Sequence, residues 1–127
     1  MTATRCPCLR GQAYDDCCGR FHRGESTAPT AELLMRSRFS AFALHDVGYL
    51  ERTWHPTTRP RRLVLDDDVR WYRLDVLAAA GGGPDDVAGT VEFRAFYRAP
   101  DGAGTQHEVS RFVRQRGAWV YLDAIGR

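Results

Sequence analysis

Polar and apolar residues change rhythm once along this chain. From Leu63 onward they alternate, and Val69–Ala79, Thr90–Arg98, Gln106–Gln115 and Ala118–Ile125 carry the period of two expected of half-buried strands. The intervals hold turn residues: Gly81-Gly82-Gly83-Pro84-Asp85, Pro100-Asp101-Gly102, and the pair Arg116-Gly117, which suits a tight hairpin. Before Leu63 the pattern is helical. Thr30 offers a capping hydroxyl ahead of Ala31-Glu32-Leu33-Leu34-Met35, and helix-forming residues continue to about Leu44. Asp46 caps a shorter helix over Val47–Thr53, which must end because Pro56 disfavours helical geometry at His55. Pro56 and Pro60 mark an irregular turn. Helices followed by a run of hairpin-linked strands predict an α+β fold with an antiparallel sheet.

The first 26 residues follow neither period and are rich in Cys, Gly, Arg and Asp, so they need something other than apolar burial to fold. The chain of 127 residues, 43% apolar, suits one compact domain, 27–127, with a small appendage, 1–26. It holds no apolar run of about 18 residues and no apolar stretch of the secretory type at its start, which leads to the expectation of a cytoplasmic protein without a membrane span. The formal charge of +2 is the difference of 18 basic and 16 acidic residues interleaved along the chain, which argues against bulk electrostatic binding of nucleic acid. Every basic residue is arginine, a bias we assign to coding composition.

All four cysteines lie in the appendage. Cys6 and Cys8 form one close pair, Cys17 and Cys18 another. Two such pairs joined by a short loop supply the four thiolates of a tetrahedral structural zinc site. Pro7 stiffens the first pair, and Gly11 and Gly19 permit the turns that join the pairs. The alternatives are two disulfides or four unconnected thiols. A reducing compartment and the strain of bridging the adjacent Cys17 and Cys18 weigh against disulfides. His22 is an alternative ligand, although four thiolates already close the site and leave no position for catalysis.

The run Cys6-Pro-Cys8-Leu-Arg-Gly-Gln-Ala-Tyr14-Asp-Asp-Cys17-Cys18-Gly19 resembles the SEC-C motif, which also ends the preprotein translocase ATPase SecA. In the SecA form the last ligand is commonly His, where this chain has Cys18. The resemblance implies Zn2+ at Cys6, Cys8, Cys17 and Cys18, and a protein partner for the knuckle. Further on, Leu34-Met-Arg-Ser-Arg-Phe-Ser-Ala-Phe42, Thr53-Trp54-His55-Pro56, Val91-Glu92-Phe93 and His107-Glu108-Val-Ser110-Arg111-Phe112 resemble the YchJ-type family. That resemblance implies a SEC-C knuckle followed by a cone-shaped α+β domain of the nuclear-transport-factor-like, cystatin-like kind, its helices packed on a curved antiparallel sheet. It implies no particular activity.

In cones of this shape the space between helix and sheet is often a pocket. Leu34, Met35, Ala41 and Phe42 share one face of the main helix, Arg38 projects from its middle, and His45 follows on the same side. A core-facing guanidinium calls for an acid, and Asp75, Glu92 and Glu108 are candidates; the choice is between a structural ion pair and a ligand-binding arginine. His107 and Glu108, adjacent on a strand, point to opposite faces and cannot both enter one pocket. Trp71, Trp119 and Tyr121 read as core. No phosphate loop, nucleophile elbow or His-Glu-x-x-His helix is present, so the sequence makes no case for an enzyme.

Three functional readings follow. The first is a zinc-knuckle adaptor docking on a protein partner, with the knuckle losing order alone when metal is removed. The second is a small-molecule binder or enzyme using Arg38, His55, Glu92, His107 and Glu108. The third, RNA binding through Arg5, Arg10, Arg20 and Arg23, is diluted by Asp15, Asp16 and Glu25. Monomer and homodimer stay open.

Overall fold

The computed structural model describes residues 4–126; residues 1–3 of the appendage and Arg127 lie outside the described residues. Helices α1 (Cys18–His22), α2 (Ala31–Leu44) and α3 (Val47–Arg52) are followed by strands β1 (Arg70–Gly81), β2 (Ala88–Ala99), β3 (Gly102–Gln115) and β4 (Ala118–Gly126). The strands form one antiparallel sheet in the order β1-β2-β3-β4. This is the expected α+β architecture, helices on a four-stranded antiparallel sheet with a cysteine cluster at the N-terminal end.

Local chemistry accounts for the boundaries. Thr30 Oγ1 accepts from the Leu33 amide at 3.1 Å and starts α2; Asp46 Oδ1 accepts from the Tyr49 amide at 3.1 Å and starts α3. Helix α2 stops because His45 turns left-handed, φ 58°, so His45 leaves the face it was expected to share with Arg38 and lies 3.3 Å from Asp67. Arg116 and Gly117 both have positive φ, 53° and 83°, the requirement of the two-residue turn that joins β3 to β4. Strand β3 starts at Gly102, earlier than the alternation suggests, because Gly104 gives the Tyr97 ring room: a Cβ there would stand 2.6 Å from it.

Register shifts between Trp71 and Arg73, Val76 and Ala78, Val109 and Ser110, and Arg111 and Phe112 insert irregularities that bend the sheet. Helix α2 packs against the sheet, touching β1, β2 and β4. Leu34, Met35 and Phe39 pack there with Leu74, Val91, Phe93 and Phe112. The β1–β2 turn is locked to the start of α2, where the Ala31 amide donates to Gly82 O at 2.9 Å and a Cβ on Gly82 would meet Ala31 Cβ at 2.6 Å.

Phe21 of α1, 3% exposed, belongs to this same core. The two segments therefore share an interior. No helix among the described residues is long and apolar enough to cross a membrane.

Candidate functional site

The cysteine pairs meet because the chain between them doubles back. The Cys6 amide donates to Gln12 O at 3.0 Å, with Leu9 and Gly11 at positive φ, 65° and 87°, in the turn. Cys17 and Cys18 then enter α1. Gly19 lies inside α1 rather than in a turn, and its need is space: a Cβ would stand 2.7 Å from the Tyr14 carbonyl oxygen. The four sulfurs lie within 4.8 Å of one another, with Cys8–Cys17 at 3.5 Å and Cys17–Cys18 at 4.0 Å. All four are free thiols, each at most 1% exposed. Disulfide sulfurs would stand about 2.05 Å apart. Thiolates around a tetrahedral zinc, at about 2.3 Å from the metal, would stand about 3.8 Å apart, and this spacing fits.

Around the sulfurs are donors. Ser40 Oγ lies 3.5 Å from Cys6 Sγ and Arg10 Nη1 3.9 Å from Cys17 Sγ. Hydrogen bonds from Cys18 and then Cys8 hold Cys6 far below the usual thiol range, while the bond to Cys6, then that to Cys8, and burial push Cys18 far above it. The four cysteines form a closed, buried set able to hold a metal ion.

His22 stands apart from that set. Its Nε2–H donates to Ser37 O at 2.8 Å, and its Nδ1 accepts from the Tyr14 hydroxyl at 2.5 Å. It belongs to a polar seam between the appendage and the cone. In that seam the Tyr49 hydroxyl meets Ser37 Oγ at 2.7 Å, Ser37 Oγ donates to Leu34 O at 2.8 Å, Arg36 reaches Cys8 O at 3.2 Å and Arg52 reaches His22 O at 2.6 Å. Burial pushes the Tyr49 phenol up to about 12.

A cavity of about 200 Å³ opens between α2 and the sheet. Its apolar wall is chiefly aromatic, with Phe42, Trp54, Trp71, Phe93 and Tyr121; its polar wall is Arg38, Gln106, Glu108 and Ser110. Arg38 is 4% exposed, and none of the acids proposed from the sequence pairs with it. Instead Nη1 donates to Leu50 O at 2.9 Å and Thr53 Oγ1 at 2.7 Å, and Cζ sits 5.0 Å and 4.9 Å from the Trp54 and Tyr121 ring centroids. Burial pulls the guanidinium down to about 10. Glu108 accepts from Ser110 Oγ at 2.5 Å, Gln106 Nε2 at 3.2 Å and the Tyr121 hydroxyl at 3.4 Å. Burial, then the Glu108 charge, push Tyr121 up to about 12.

Of the residues nominated for the pocket, Arg38 and Glu108 line it; His55, Glu92 and His107 do not. The period of two explains the last pair. Glu108 turns inward with Ser110 and Phe112, while His107 turns outward and meets Glu92 at 2.7 Å on the other side of the sheet. His55 is held in the turn after α3, its Nδ1 accepting from the Thr57 hydroxyl at 2.7 Å. Asp75 is taken by Arg73 on the surface. Sequence reasoning missed Trp54 and Gln106 as wall residues and read Trp71 and Tyr121 as core. The signal available was Thr53-Trp54-His55, which bonds to β4 through His55 N–H to Tyr121 O and Tyr121 N–H to Thr53 O, both 2.8 Å.

A SEC-C-type cysteine knuckle joined to a nuclear-transport-factor-like cone is the class these features define. The profile described as "YchJ, middle NTF2-like domain" matches residues 30–124. A UPF0225 protein of Streptomyces coelicolor is 54% identical over 97% of this chain and 96% of its own, and one of Corynebacterium glutamicum is 56% identical over 92% and 93%. The solution structure of a SEC-C motif containing protein from Rhodopseudomonas palustris is similar with a TM-score of 0.83 at 32% identity, covering 98% of this chain and 99% of that one. A crystal structure of a SEC-C motif containing protein from Psychrobacter arcticus follows at 0.75 and 30%, covering 96% and 82%. The chain belongs to this YchJ-type, UPF0225 family.

Proposed function

We propose that this is a small-molecule-binding protein: the cone holds the ligand, and a structural zinc ion at Cys6, Cys8, Cys17 and Cys18 fastens the N-terminal segment to it. The observation that carries the reading is Arg38, buried in the wall of an aromatic cavity and hydrogen-bonded to no acid, while Glu108 on the same lining accepts from Ser110, Gln106 and Tyr121 instead. Structural ion pairs are closed; this charge is left facing a space. Zinc is supported by the donor set, four soft thiols at near-tetrahedral spacing with no open position.

The test is a metabolite screen read by amide and indole NMR shifts on the metal-loaded protein. Hits that move Trp54 and Trp71 are expected; a screen whose hits leave both unmoved overturns the reading. Metal analysis of untagged protein checks the zinc, with one equivalent expected and its loss in Cys8→Ser.

The adaptor reading keeps one observation in its favour: Leu9, 53% exposed, stands beside the exposed Arg10 on the knuckle's outer edge. In-cell crosslinking that maps to this edge, and is lost in Leu9→Asp, is its test.

A further inference from the structure

We propose that the cavity takes a single-ring aromatic monocarboxylate, its carboxylate held side-on by Nε and Nη2 of Arg38. This rests on the reading of the cavity as a ligand site and names the chemistry of the ligand.

The guanidinium has one filled edge and one empty edge. Nη1 is used by Leu50 O and Thr53 Oγ1, both neutral acceptors. Among the described residues no acceptor meets Nε or Nη2. Among the described residues the fully buried polar atoms without a partner are Arg20 Nε and Trp54 Nε1, so Nε and Nη2 of Arg38 each keep some solvent access, on a side chain that lines the cavity. They form the parallel fork that matches a carboxylate. The chain uses that same fork twice on its surface: Arg73 gives Nε and Nη2 to Asp75 at 3.0 Å and 3.1 Å, and Arg111 gives them to Asp123 at 2.6 Å and 2.5 Å. In Arg38 the partner is absent, and the rings of Trp54 and Tyr121 already hold the plane of the group. Trp54, on the same wall, also carries a buried indole N–H without an acceptor.

Size and charge narrow the ligand. A dry cavity of about 150 Å³ accepts benzene, so about 200 Å³ accommodates one ring with a carboxylate attached. The walls offered by Phe42, Trp71 and Phe93 suit ring faces and edges. Glu108 is occupied as an acceptor by Ser110, Gln106 and Tyr121, and its charge opposes a doubly charged phosphate more than a single carboxylate.

The experiment titrates the full-length, metal-loaded chain with benzoate, benzamide and phenyl phosphate, following the indole resonances of Trp54 and Trp71. Benzoate is expected to bind saturably, and roughly tenfold or more tighter than benzamide, which has the same shape without the charge. Phenyl phosphate is expected to be weaker than benzoate. Arg38→Lys, which keeps charge and loses the fork, should erase the preference for benzoate. Should that variant fail to fold, Glu108→Gln decides: it should tighten benzoate, and phenyl phosphate more. Equal binding of benzoate and benzamide, phenyl phosphate as the tightest of the three, or no response to Glu108→Gln overturns the proposal. If the probes fail while a neutral or cationic compound occupies the cavity, the carboxylate assignment falls and the binding function stands. If nothing occupies the cavity, both fall.

Discussion

Helix α2 has a buried polar cluster on each of two faces, and the two are finished to different degrees. Toward the knuckle, Ser37, Tyr49, His22 and Tyr14 form a chain in which hydroxyl, imidazole and carbonyl find partners. Toward the sheet, two donors of Arg38 meet no acceptor among the described residues. Buried polar groups are normally satisfied, and an unsatisfied one is costly. The difference separates roles: a complete network holds structure, and an incomplete one is complete only with something else bound.

The largest blow to this contrast should come from the metal. Because α1 contributes Phe21 to the common core, chelation or Cys8→Ser is expected to destabilise the cone as well as the knuckle, by about 5 kcal/mol or more. Calorimetry would read one lowered transition, and a cone that melts unchanged would break the idea of a shared interior. Phe21→Ala should cost about 3–5 kcal/mol in urea denaturation while leaving metal content intact.

Next comes Tyr49→Phe, at about 1–3 kcal/mol near neutral pH, since buried Ser37 Oγ keeps Leu34 O as its acceptor but loses the phenol that donates to it. Its pH dependence sharpens the comparison. Below pH 10 Tyr49 is protonated folded and unfolded, and its contribution is complete. As pH climbs from 10 toward 12 the unfolded chain releases the proton first, so stability falls. The Phe variant should lose that part of the fall, measured as urea midpoints at pH 9 and pH 11.

Smallest of all should be Arg38→Met made together with Glu108→Gln. Removing both buried charges of the cavity at once is expected to change stability by less than about 1 kcal/mol in either direction. Ligand binding should vanish with it. A loss comparable to that of Phe21→Ala would make the two charges structural and dissolve the contrast.

The strands, the caps at Thr30 and Asp46 and the cysteine cluster could be read from the chain because each depends on near neighbours. The seam could not. Ser37 and Ser40 look like solvent-facing positions of α2, yet both are 0% exposed, since the knuckle covers a side of the helix that amphipathic patterning leaves polar. Arg38 was legible as an inward charge, but its partners are a backbone carbonyl, a hydroxyl and two rings, which no pairing of opposite charges predicts. Trp54 reaches the wall only through the backbone bonds between Thr53-Trp54-His55 and Tyr121, a long-range contact invisible to periodicity.

Those bonds also fix how a guest would come and go. One side of the cavity is stitched to β4, while residues 60–65, leading toward Trp71, make no backbone hydrogen bonds to helix, strand or turn. Displacing that segment breaks no backbone hydrogen bond and costs only the packing of the partly buried Leu63 and Leu65, so exchange of a guest should be governed by a local opening easier than global unfolding. Residence time and thermal stability would then be tunable separately, the first through Arg61–Leu65 and the second through the knuckle.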